Sequence, residues 1–227
     1  MNTFNSFSNI AIGNKNISLT PPIVFLNFTG DLTNTGSQTV TISYNGTIDY
    51  DNNNAAIFTG NSNNYIYFTT PSMPPRYSIC ALVNIKSGVI NNINNYSFLS
   101  INYNNSRGFI LYNNSSFKFM NSFGNQSNFT STKPSENVYL HIVIVYTSYY
   151  NCITYFNGDK IGEANVETPQ GNSVFNIFIG KSSANTYGNN DGNLPFTGKI
   201  SKFQFYNYAL NDNQVKDVYN NRDSTVL

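Results

Sequence analysis

The sequence predicts an all-β protein, a sandwich or barrel finished by one short C-terminal helix. Three observations carry this. Short runs rich in Tyr, Phe, Ile and Val alternate with Asn, Ser and Gly clusters about every 8–12 residues, the spacing of a many-stranded β domain. Asn157-Gly158 stands between two extended runs, and a type I′ hairpin turn needs two residues that tolerate positive φ. A helical apolar period appears only once, after Leu210.

Ile23–Phe28 reads as the first strand, beginning directly after Pro21-Pro22, since proline cannot donate to a ladder. Tyr65–Thr69 and Tyr77–Ile85 come next, separated by the Pro-rich stretch 71–75. Tyr96–Ile101, Gly108–Tyr112 and Phe117–Asn121 read as a meander. Val138–Tyr146 is long and β-branched, as a buried strand prefers. Ile153–Phe156 enters the Asn-Gly turn and Lys160-Ile161-Gly162 leaves it. Phe175–Ile179 and Phe196–Tyr206 complete the set. In the last of these, strict alternation puts Lys202 and Gln204 on the Ile200 side and Phe203 and Phe205 opposite. A bulge near Ser201-Lys202 brings Ile200, Phe203 and Phe205 onto one buried face.

The helix starts with Asn211 as N-cap and Gln214 at N3, a variant of the capping box. Leu210 and Val215 form a hydrophobic staple, and Val215, Val218 and Tyr219 line one face. So short a helix is stable only when docked on the β core.

Composition bounds the function. Of 227 residues, 40% are apolar, enough for a core, and only 10% are charged, against about 25% in an ordinary globular domain. A net charge of +1 with no basic block excludes a nucleic-acid footprint. Asparagine does the polar work instead, at about forty residues. No apolar stretch of about 18 residues offers a membrane span. The start, MNTFNSFSNIAIGNKNISLT, lacks a basic segment followed by an apolar one and does not read as a signal peptide. Residues 1–20 read as an N-terminal arm or tail and 21–227 as one domain.

Catalytic signals are weak. Cys80 and Cys152 lie inside strands and read as buried reduced thiols; a disulfide is the alternative, which spacing does not decide. Two Cys and one His cannot build a zinc cluster. His141, the sole histidine, alternates with Tyr139 and Val143 and has no nucleophile motif to serve, so it reads as a packed strand residue. Glycoside hydrolysis needs two facing carboxylates. The glutamates are Glu136, Glu163 and Glu167, and the last two, in "GEANVETP", read as solvated loop residues. Gly188, Gly192 and Gly198 form no phosphate cradle. No catalytic residue is assigned.

A chain with few charges suits a neutral polar ligand such as a sugar, because amides pair donors with acceptors and aromatic rings stack on C–H faces. The stretch 181–194, "KSSANTYGNNDGNL", is the leading candidate loop, with Asn185, Tyr187, Asn189, Asn190 and Asp191. Tyr149-Tyr150, two adjacent aromatics between strands, is the second.

Six segments also resemble, in order over about 200 residues, the LamG-like members of the concanavalin A-like lectin/glucanase superfamily. These are "VFLNFTGDLTNTGS", "AAIFTGNSNNYIYFTTP", "YSICALVNI", "VYLHIVIVY" with "ITYFNGDKIGEA", "NIFIGKSS", and "PFTGKISKFQFYNYALNDNQVKDVYN". The resemblance implies a jelly roll, two antiparallel sheets packed face to face. It also implies a structural calcium, but Thr59 and Ser201 stand where such domains carry acidic ligands, and calcium wants carboxylates; no cofactor is expected. Leu82 stands where the pattern has Trp, so a large core residue has to be compensated elsewhere. The expected function is a non-catalytic carbohydrate-binding or adhesion module, with a glycan or glycosylated protein as partner. The alternative is a structural or assembly protein, such as a virion component, whose partners are copies of itself or other virion proteins. A virion or cell-surface location suits both.

Overall fold

The computed structural model describes residues 19–70, 74–86, 96–103, 105–111, 117–120, 126–129, 135–148, 151–165, 175–181 and 195–223. Residues 1–18 of the expected N-terminal arm lie outside them. The described residues form two antiparallel sheets and one helix. The strands are β1 Val24–Leu26, β2 Ile42–Asn45, β3 Asp49–Tyr50, β4 Ala56–Thr59, β5 Tyr65–Thr70, β6 Tyr77–Ile85, β7 Tyr96–Tyr103, β8 Asn105–Leu111, β9 Phe117–Met120, β10 Gln126–Phe129, β11 Tyr139–Ser148, β12 Asn151–Phe156, β13 Asp159–Ala164, β14 Phe175–Ile179 and β15 Thr197–Tyr206. Helix α1 is Asp212–Asn220.

The eight-stranded sheet runs β13-β12-β11-β6-β15-β4-β3, with β1 joining β15 beside β4. The seven-stranded sheet runs β10-β9-β8-β7-β14-β5-β2. The expected meander is present as β7-β8-β9 and continues into β10. Strand β15 is the keystone. One edge pairs with β6; the other is divided between β4, at Thr197–Ile200, and β1, at Phe203–Phe205. The register breaks between Ile200 and Lys202, so Ser201 is the extra residue of a bulge. As the alternation required, Ile200, Phe203 and Phe205 then share one buried cluster.

That cluster fills the space between the sheets. Its largest members are rings, including a stacked Tyr77–Tyr146 pair with centroids 4.2 Å apart. Leu82 is not part of it. Ala81 and Val83 point between the sheets, and Leu82, between Lys202 and His141 in the register, takes the other face. The missing Trp therefore leaves no vacancy in the inter-sheet core.

A second cluster covers the outer face of the eight-stranded sheet. Cys80, Val143, Val145, Tyr155 and Tyr206 from the strands pack against Leu210, Val215 and Val218, with Leu19 at the margin. This explains why β6 is buried along nearly its whole length: both of its faces are covered. The helix is placed as its sequence requires. Asn211 accepts from the Gln214 N–H at 3.0 Å and Gln214 returns the bond to the Asn211 N–H at 2.9 Å. Buried Ser78 donates to the Tyr208 carbonyl and accepts from the Leu210 N–H, and the Tyr155 hydroxyl donates to Asp212 at 2.6 Å. The Asn157-Gly158 hairpin has both residues at positive φ, 50° and 84°, the type I′ geometry.

Candidate functional site

The outer face of the seven-stranded sheet carries aromatic rings where solvent should meet polar residues. On β5, Ile66 and Phe68 are buried between the sheets, so Tyr65, Tyr67 and Thr69 face outward, because strand side chains alternate. On β14, Ile177 and Ile179 are buried and Asn176 and Phe178 face outward. The register sets Tyr67 opposite Phe178 and Thr69 opposite Asn176. The Tyr67 and Phe178 rings are stacked, centroids 5.9 Å apart with 29° between planes. Tyr65 lies 5.7 Å from Phe178 and 5.9 Å from Tyr67. All three rings are partly exposed, and together they form a platform.

Polar groups sit at both ends. At one end the Thr69 hydroxyl donates to Asn176 Oδ1 at 2.9 Å. At the other end Lys181 Nζ lies 3.6 Å above the Tyr65 ring centre and 5.4 Å from that of Phe178. Partial burial lowers the Lys181 pKa. Across the sheet edge, Ser43 and Asn45 of β2 lie opposite Tyr67 and Tyr65.

Local chain geometry holds Lys181 there. Gly180 has φ of +93°, a region that favours glycine, and a Cβ at this position would run into the Phe58 ring. The Gly180 N–H donates to the Phe98 carbonyl and its carbonyl accepts from Phe196 N–H, both at 2.8 Å. Ser100 Oγ donates to the Lys181 carbonyl at 3.1 Å, and Lys181 forms a bridge with Pro195. Lys181 and Pro195 are thus the two roots of the predicted loop. The loop residues themselves, Asn185, Tyr187, Asn189, Asn190 and Asp191, lie outside the described residues, as do Tyr149 and Tyr150. Neither candidate set is placed; what is placed is the pair Lys181 and Pro195 that flanks the stretch.

The platform was not among the expected sites, although its signal is in the sequence. In "NYIYFTT" aromatics occupy the outward positions of an alternating strand, where Ser, Thr or Asn would serve solvation. The match with Phe178 needs the β5–β14 register, which sequence spacing does not supply.

The residues considered for chemistry occupy other surroundings. His141 is 2% exposed and its Nδ1 has no hydrogen-bond partner among the described residues; its ring lies 5.7 Å from that of Tyr219. Burial, with Arg222 and Lys202 nearby, pushes its pKa down to about 4. Glu163 is not in a loop, as its Pro-containing context suggested, but on edge strand β13, where pairing with β12 extends it. It accepts from Lys160 and Asn151, both at 2.7 Å. Glu167 lies outside the described residues. Cys80 and Cys152 are buried free thiols; burial raises both pKa values, that of Cys152 to about 12 with Glu163 adding to it. Among the described residues no three His, Cys, Asp or Glu gather as metal ligands, and no helix is long and apolar enough to cross a membrane.

A laminin-G-type family model of the concanavalin A-like lectin/glucanases superfamily matches residues 58–216. No curated protein sequence matches the chain. Among solved structures, the binding domain of Paraclostridial Mosquitocidal Protein 1 superposes with a TM-score of 0.67 at 17% identity, over 89% of this chain and 52% of that one. The binding domain of botulinum neurotoxin serotype D gives 0.65 at 13% identity, over 88% and 51%. The serotype D ligand-binding domain in complex with N-acetylneuraminic acid gives 0.65 at 15%, over 88% and 51%. The chain thus spans about half the length of these structures, and the likeness is one of fold.

Proposed function

We propose that this chain, which belongs to the concanavalin A-like lectin/glucanase superfamily, is a non-catalytic carbohydrate-binding module and that its sugar-binding face is the Tyr65/Tyr67/Phe178 platform. One observation carries the reading: three mutually packed, partly exposed rings lie on an otherwise regular sheet face, with an amide–hydroxyl pair at one end. Such rings cover the C–H face of a pyranose, and the amide and hydroxyls address its hydroxyl groups. The rings sit on strands rather than loops, so the surface is largely ordered before a ligand arrives and loses little entropy on binding. The receptor-binding and sialic-acid-bound neighbours support the class of function without locating a site.

Calcium takes no part in this reading. At one position the resemblance marks for acidic ligands, the Thr59 backbone N–H bonds Asn64; at the other, Ser201 is the bulge residue of β15. A protein–protein surface is the competing use of the same face, and the same experiment separates the two. Glycan-array binding and calorimetry on the native chain, Tyr67→Ala and Phe178→Ala, with and without chelator, give glycan hits that each substitution weakens roughly tenfold and chelation leaves unchanged. A blank array with a defined oligomer in solution transfers the face to assembly.

A further inference from the structure

The platform's one described cation bears on which sugars it takes. Lys181 Nζ lies over the Tyr65 ring at 3.6 Å, and no carboxylate among the described residues pairs with it. The described carboxylates near other cations are engaged elsewhere: Asp51 with Lys199 and Glu163 with Lys160. The Lys181 ammonium is partly withdrawn from water with no described carboxylate to balance it, and burial lowers its pKa. The ring supplies one favourable contact, and an ammonium has three donors to place.

We propose that the platform selects acidic sugars, a carboxylate on the ligand pairing with Lys181 while its apolar face stacks on Phe178 and Tyr67. This rests on the carbohydrate reading above and replaces the neutral ligand that composition alone suggested. The ammonium already covers the Tyr65 face, so a sugar has Phe178 and Tyr67 left to stack on. Nζ is 5.4 Å from the Phe178 centroid, within reach of a carboxylate carried by a ring stacked there. The backbone of Lys181 is held by Gly180, Ser100 and the Pro195 bridge, its ammonium is seated on the Tyr65 ring, and a charge-assisted bond from that ammonium to a carboxylate is stronger than a neutral one.

The test is calorimetry of the full chain with 3′-sialyllactose, a glucuronic-acid-terminated oligosaccharide, and lactose as neutral counterpart, repeated on Lys181→Met and Lys181→Arg. Acidic ligands are expected to bind roughly tenfold to a hundredfold more tightly than the neutral one, with a preference that salt reduces. Lys181→Met abolishes the preference for acidic over neutral sugar, while Lys181→Arg keeps it. Equal binding of acidic and neutral sugars, or tighter binding of both by Lys181→Met, overturns this inference and leaves the carbohydrate reading standing. Failure of every sugar to bind, with thermal midpoints unchanged, overturns both.

Discussion

The outer faces of the two sheets present similar side chains and meet different ends. On the eight-stranded sheet Tyr155, Tyr206, Val143 and Val145 are covered by α1 and by the segment that leads into it. On the seven-stranded sheet Tyr65, Tyr67 and Phe178 are partly open to solvent. The first face is covered by the chain itself, with the Tyr155 hydroxyl held by Asp212 and the Leu210 N–H held by Ser78, though the buried Tyr206 hydroxyl has no hydrogen-bond partner among the described residues. The second has ring faces and an unpaired ammonium with no such answer among the described residues. An apolar surface completed from within is structure; one left incomplete on a rigid sheet points outward, to a partner.

That contrast makes the two faces respond differently to substitution. The largest effect belongs to the covered face. Val218→Asp buries a charge with no partner beneath α1 and costs about 3–5 kcal/mol of stability, read as a lower urea midpoint. Tyr67→Ala on the open face costs under about 1 kcal/mol while weakening sugar binding; equal losses at the two sites would erase the distinction.

Acid acts on the covered face next. The folded His141 refuses a proton until about pH 4, whereas its ordinary value is 6.5. Across that window the unfolded chain binds more protons, so stability falls as pH drops from about 6.5 to 4 and is unaffected by this residue at higher pH. The loss reaches roughly 2–3 kcal/mol near pH 4.5. Urea midpoints at about pH 7.5 and 4.5 show it as the part of the acid loss that His141→Gln removes. The same slope in the variant would move the cause to the carboxylates. Smaller still is Ser78→Ala, which takes the acceptor from the Leu210 N–H and costs about 1–2 kcal/mol, measured against native stability at neutral pH.

Local chemistry made much of this fold legible. Strands β6 and β14 have the bounds their apolar runs predict, because both are flanked by clear breaks. The Asn157-Gly158 turn, the bulge at Ser201 and the Asn211 capping box each follow from one local requirement of φ, alternation or donor satisfaction. Strands β2 and β10, "ISYN" and "QSNF", were missed because Ser and Asn carry little strand propensity. Their extension comes from the neighbours they pair with, Tyr65–Phe68 for β2 and Phe117–Met120 for β10. The platform was half legible. Tyr65 and Tyr67 stand at outward positions of a readable strand, but Phe178 joins them from 111 residues downstream of Tyr67 through a register that no local rule encodes.

The position of β15 has a consequence in time. The last of the described strands lies in the middle of its sheet, between β6 on one side and β1 and β4 on the other. Until it arrives, β1 has no partner among the described strands and one edge of β6 lacks the strand that covers it. Val24 meets its partner Phe205 only after some 180 residues have intervened, so the contact order is high and folding is slow. On the ribosome, β1 emerges before β15 and waits for the residues that lie between them. A nascent or truncated chain ending before Thr197 therefore exposes the edges most able to join another chain, and this protein's hazard lies in its synthesis more than in its finished state.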